Sequence, residues 1–211
     1  MGLDYVEVIM KIEDAFEIAN FDVPVARVPF DMLTADDLCE HVWQRLQGRE
    51  PAWTEADFNR IVTLTAPLRQ RTEAYLHGLP RPWWQWNPPH QMNRLVKDEA
   101  LANLWQELEL IWGFPPPPLV PNPRGGDSVE LPASCRTRWG LLGTLIRQWA
   151  LQHEPSRYVW QASSAARPPN ADQWTRAAVW DRLQFILMEQ LNLPQGAVQP
   201  HATLNGDLRM D

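Results

Sequence analysis

Histidine, cysteine and serine, the side chains best suited to covalent chemistry, are sparse in this 211-residue chain and fall into no catalytic spacing. His41, His77, His90, His153 and His201 are scattered, without an HExxH, a GxSxG, a Cys-His signature or a phosphate-cradling glycine loop. Cys39 and Cys135 lie far apart, with no CxxC and no histidine pair beside them, and read as two reduced thiols rather than metal ligands. No catalytic residue and no metal site is nominated, and the chain is expected not to be an enzyme. Recognition is what remains. Asp4, Glu7, Glu13, Asp14 and Glu17 form an acidic face, interrupted by Lys11, that suits either a protein partner with a basic patch or plain solvation. Trp83, Trp84 and Trp86, set among Pro80, Pro82, Pro88 and Pro89, make either an aromatic shelf, for an acyl or aromatic ligand or a proline-rich peptide, or a seal over a core.

The charge balance narrows the partners. A formal net charge of -7 argues against a nucleic-acid surface, which needs clustered Lys and Arg. The longest apolar run, around Trp139 to Ile146, is too short to span a bilayer, and no charged-then-apolar leader opens the sequence. The opening also lacks the Ser or Thr that a myristoylation signal needs. A soluble cytoplasmic protein, without membrane or nucleic-acid partners, is the expectation.

The elements that must position these residues are helical. Proline-rich breaks fall in the centre, at Leu79-Pro80-Arg81-Pro82, Asn87-Pro88-Pro89, Phe114 to Pro118 and Pro121 to Gly126. Near the start, Leu3, Val6, Ile9, Met10 and Phe16 are read as the apolar side of a helix, with Asp4, Glu7, Lys11 and Asp14 opposite. Thr34 has the character of an N-cap, followed by Leu38, Val42 and Leu46, with Asp36 and Asp37 favouring the positive helix start. Further helices are expected from about Thr54 to His77, Met92 to Trp112 and Arg138 to Gln152, the second ending at Gly113. A last helix, capped by Thr175, carries Val179, Leu183, Ile186, Leu187 and Leu191. No strand pattern is found, so the class is all-α. Ser163 to Asn170 reads as a linker, mobile if exposed.

The two ends resemble two halves of one known domain. Gly2-Leu3-Asp4-Tyr5-Val6-Glu7-Val8-Ile9-Met10 and its continuation to Phe16 resemble the second helix of acyl carrier proteins, typically D-S-L-D-x-V-E-L-x-M. Ala26-Arg27-Val28 and Thr34 to Leu38 resemble that family's short third helix and the start of its fourth. Its opening helix is missing here but is matched by Val179 to Leu191, and its first loop by Leu193, Val198, Ala202, Leu204, Asp207 and Leu208. Joined tail to head, Asp207-Leu208-Arg209-Met210-Asp211 runs into Gly2-Leu3-Asp4 with nothing left over once Met1 is set aside. The resemblance therefore implies a circularly permuted acyl-carrier-like bundle from residues 1–47 plus 174–211, with residues 48–173 as a helical Trp/Pro-rich insert. Its junction residues would be Leu3, Asp4, Asp207, Leu208 and Asp211, with Asp211 capping the first helix.

Gly2 then stands where the family carries its phosphopantetheine on a serine. Glycine has no oxygen to form the phosphodiester, so that cofactor is not expected. Ser128, Ser134, Ser156, Ser163 and Ser164 all lie centrally, and none precedes a Leu-Asp. The resemblance leaves a recognition role, docking through the acidic helix, with a ligand-binding module in a Trp-lined pocket as the alternative. Short isolated helices are marginal in water, so each half needs its complement, found either in its own chain or in a swapped homodimer.

Overall fold

The computed structural model describes residues 3–19, 21, 32–52, 55–79, 98–121, 129–154, 160–163, 165–208 and 210. Within them the chain forms α1 (Leu3–Phe16), α2 (Ala35–Leu46), α3 (Glu55–Gly78), α4 (Asp98–Trp112), α5 (Arg138–His153) and α6 (Arg176–Gln190). The expected helical class holds, with two small additions. Strand β1 (Arg49–Pro51) pairs antiparallel with β4 (Trp160–Ala162), and β2 (Val120–Pro121) pairs with β3 (Val129–Glu130). Strands of two or three residues are too short for alternation to register in a sequence.

Local chemistry sets the helix ends. Thr34 caps α2 in a capping box: its hydroxyl accepts from Asp37 N at 3.2 Å, and the Asp37 carboxylate accepts from Thr34 N at 2.9 Å. Thr175 caps α6 through Ala178 N, and Thr137 caps α5 through Gly140 N. Helices α1 and α6 end alike. Glu17 (φ 56°) and Asn192 (φ 49°) turn left-handed, letting Ile18 N reach Glu13 O and Leu193 N reach Met188 O. Gly113 (φ 76°) closes α4 as its sequence position suggests.

Helices α1 and α2 both pack on α6. Val8, Ile12 and Phe16 of α1, Leu38, Val42 and Leu46 of α2, and Val179, Leu183, Ile186 and Leu187 of α6 are all buried. Each such side chain contributes about 1.5–3 kcal/mol by leaving water. The buried stripe of α1 differs from the expected one: Val6 and Met10 face solvent, and Val8 and Ile12 take the core. Apolar residues surround most of this helix, so periodicity alone could not choose the face that α6 covers.

The C-terminal segment completes the start of α2. A helix leaves the N–H groups of its first turn without internal partners. Here Ala35 N donates to Ala202 O and Asp36 N to Pro200 O, both at 2.9 Å, while the capping box serves Thr34 and Asp37. In return Leu204 N donates to Leu33 O at 2.7 Å, and Thr34 bridges Thr203. Val198, Ala202, Leu204, Leu208 and Met210 join the same buried cluster as Val8 and Ile12. Both ends of one chain thus share a core.

The middle of the chain leaves and re-enters this bundle through a narrow neck, the β1–β4 ribbon. Ser163 N donates to Gly48 O, the Ser163 hydroxyl to Glu50, and Arg167 Nε to Leu46 O, so the segment read as a linker is pinned to the end of α2. Beyond the neck, α3 packs on α4, and α4 buries Leu101, Leu104, Leu108 and Ile111. The proline run is held too: Trp105 Nε1 donates to Pro117 O and Gln148 Nε2 to Pro115 O.

Helix α5 attaches this middle region to the bundle. Gly143 lies so near the loop before α2 that a Cβ there would sit 3.2 Å from Met32 Cβ. Arg147 donates to Met32 O at 3.0 Å and pairs with Asp37. Trp139 lies against Gly206 of the tail, where a Cβ would collide with the indole and come within 2.7 Å of Thr203 Oγ1. Gly206→Ala is expected to cost about 1–3 kcal/mol of stability, and Trp139→Ala in the same chain should recover part of that loss. Urea unfolding of the two single variants and the double variant measures this coupling.

Candidate functional site

The face that α1 turns to water is built by its helical spacing. With Val8, Ile12 and Phe16 inward, Val6 and Met10 stand one turn apart on the outside, 50% and 57% exposed. Glu7, Lys11 and Asp14 are exposed beside them, and Glu17 follows in its left-handed turn. Glu13 is different from the other acids singled out in the sequence: its carboxylate accepts Phe21 N at 2.8 Å and holds the chain leaving α1. The outward face is therefore an apolar pair with Glu7, Asp14 and Glu17 around it, interrupted by Lys11. Val6 and Met10 were missed as surface residues because their side chains look like core. The signal available was an apolar set too wide for one face.

At the chain-end junction, Leu3 and Asp4 open the backbone of α1, Leu208 is buried and Asp207 organises the tail. The Asp207 carboxylate accepts from Thr203 N and Thr203 Oγ1, both at 2.8 Å, and from Thr137 Oγ1 at 3.5 Å. This acid thus fastens the tail loop to the cap of α5. Gly2, Asp211 and the Trp83, Trp84 and Trp86 cluster lie outside the described residues, as does the side chain of Asp4.

A charged cluster covers the outer side of the junction. Two guanidinium groups lie near the Trp139 ring, Arg138 at 4.9 Å and Arg69 at 5.5 Å from its centroid. Glu73 pairs with both arginines, at 3.0 and 3.1 Å. Burial alone would raise the Glu73 pKa, but hydrogen bonds from Arg69 and Arg138 outweigh it and hold the carboxyl below its ordinary range. The cluster clamps α3, α5 and the tail, and its ions are already paired.

The nucleophile candidates are occupied or insulated. Burial pushes the Cys39 thiol up to about 12 and the Cys135 thiol to about 11, so neither supplies a thiolate near neutral pH. His41 is buried between the rings of Phe21 and Trp160, and His153 stacks on Trp149. Among the described residues no group of three or more His, Cys, Asp or Glu side chains is placed to hold a metal ion, and no helix is long and apolar enough to cross a membrane.

One histidine links this region to pH. Burial lowers the His201 pKa below its ordinary value of 6.5, with Asp207 opposing the shift and Arg136 adding to it. A base depressed in the folded state binds its proton more readily when unfolded. Its contribution to stability is therefore complete above about pH 6.5 and is lost as pH falls toward the folded value. The urea midpoint should drop between pH 7.5 and 5.5, and His201→Asn should flatten part of that drop.

A scan against protein-family models finds no match to this chain, and searches of curated proteins and of solved structures find none either.

Proposed function

We propose that the chain is a non-enzymatic, acyl-carrier-like protein that works by docking α1 onto a protein partner, and that it carries no phosphopantetheine. In this reading residues 1–47 and 174–211 form the permuted carrier-like bundle, residues 48–173 are its insert, and the protein acts in the cytoplasm. The observation that supports it best is the outward pair Val6 and Met10, set beside Glu7, Lys11, Asp14 and Glu17, a net acidic surround, on a helix whose other face is buried. Two large apolar side chains held in water are a standing source of binding energy, about 1.5–3 kcal/mol each when fully covered. The acids around them select the partner by charge: an apolar patch rimmed by Lys or Arg. The packing of α1 and α2 on α6 supports closure of both halves within one chain rather than in a swapped homodimer.

Two measurements test this reading. Exchanging Val6 and Met10 for Ser, or Glu7 and Asp14 for Lys, should leave thermal unfolding nearly unchanged. Either change should weaken binding of a partner captured by the wild-type chain, then purified, by at least tenfold in calorimetric titration. Unaltered affinity in both variants would remove α1 as the docking face. Incubation with a phosphopantetheinyl transferase and coenzyme A should leave the intact mass unchanged, whereas an added arm would overturn the reading of Gly2.

A further inference from the structure

The neck between bundle and middle region contains a cleft of about 340 Å³. Pockets of this size that take small molecules favour the seams between domains, and this one lies on such a seam. Ile18 and Ala19, just past the end of α1, form one side with Arg45 from the last turn of α2; Ser163, Ala165, Ala166 and Pro168 of the returning chain form the other.

Its polar groups are unequal. Ser163 is satisfied by Glu50 at 2.9 Å and by Ala165 N at 3.1 Å. Arg167, beside the cleft, is spent on Leu46 O and Asp172. Arg45 makes a single long contact among the described residues, Nη2 to Ala19 O at 3.5 Å, and pairs with no carboxylate there. Among the described residues most of the planar donor fork of this guanidinium is left over, at the edge of a cavity whose other walls, apart from Ser163, are apolar. A fork of that kind matches the two oxygens of a carboxylate. The alanines leave the room that an aliphatic body would fill.

The geometry points to a binding site for a small organic carboxylate with a short aliphatic body, its carboxylate on Arg45 and its chain against Ile18, Ala165, Ala166 and Pro168. The site is separate from the outward face of α1 and does not depend on the docking role.

Titration of the ¹⁵N-labelled chain with sodium hexanoate, followed by amide chemical shifts, tests it. Saturable shifts are expected at Ile18, Ala19, Ala165 and Ala166, and the uncharged analogue 1-hexanol should bind at least tenfold more weakly. Arg45→Gln should lose binding by about tenfold or more, as removal of a charged hydrogen-bond partner does. Ala166→Leu, which fills the cleft and leaves Arg45 in place, should lose it as well, with the rest of the spectrum unmoved. Shifts centred elsewhere, equal response to hexanoate and hexanol, or wild-type binding by Arg45→Gln or by Ala166→Leu would overturn the assignment.

Discussion

The first turn of α2 is the constraint on which the rest depends. Its backbone donors must be satisfied, and two of them, Ala35 N and Asp36 N, find their acceptors on Ala202 and Pro200, near the other end of the chain. A donor buried without a partner costs about 1–3 kcal/mol, so the helix start and the tail stabilise each other. Once the tail is fixed there, Leu204, Leu208 and Met210 enter the core, and α6, which leads into the tail, is held where α1 and α2 can pack on it.

The middle region is fitted to this arrangement at two places. Its neck is the β1–β4 ribbon, which brings the outgoing and returning chain side by side, and its second attachment is α5. Two glycines, one on each side of that second contact, let backbone and indole approach: Gly143 against Met32 and Gly206 against Trp139. Arg147 adds an ion pair to Asp37, the same carboxylate that closes the capping box of α2. The start of α2 is therefore held from the tail on one side and from α5 on the other. The outward face of α1 stays in water, which is why it carries the proposed docking role.

Much of the fold was legible because its signals are local. Thr34 and Thr175 announce helix starts, Gly113 a helix end, and the buried rows of α2, α4 and α6 follow the 3.6-residue period. Legibility stopped where partners are distant in sequence or carry no side-chain mark. The acceptors for Ala35 and Asp36 are backbone carbonyls, which any residue supplies. The role of Glu13 as acceptor for Phe21 N cannot be told from a surface acid by spacing. Val6 and Met10 look like core residues until α6 has chosen its side of α1. Ser163 to Asn170 has linker composition, yet Ser163 and Arg167 pin it to residues more than a hundred positions earlier. The cleft beside Arg45 exists only because that pinning brings distant alanines together.

The mutual completion of α2 and the tail is open to direct measurement by amide hydrogen exchange at single-residue resolution. Helix-starting amides with only water as partner exchange orders of magnitude faster than the helix interior, because they need no opening. The expected result is that Ala35 and Asp36 are protected to about the same degree as Leu38 and Val42, and lose that protection together with the amides of Leu204 and Met210 as denaturant is added. Fast exchange at Ala35 and Asp36 while the interior of α2 stays protected would contradict it.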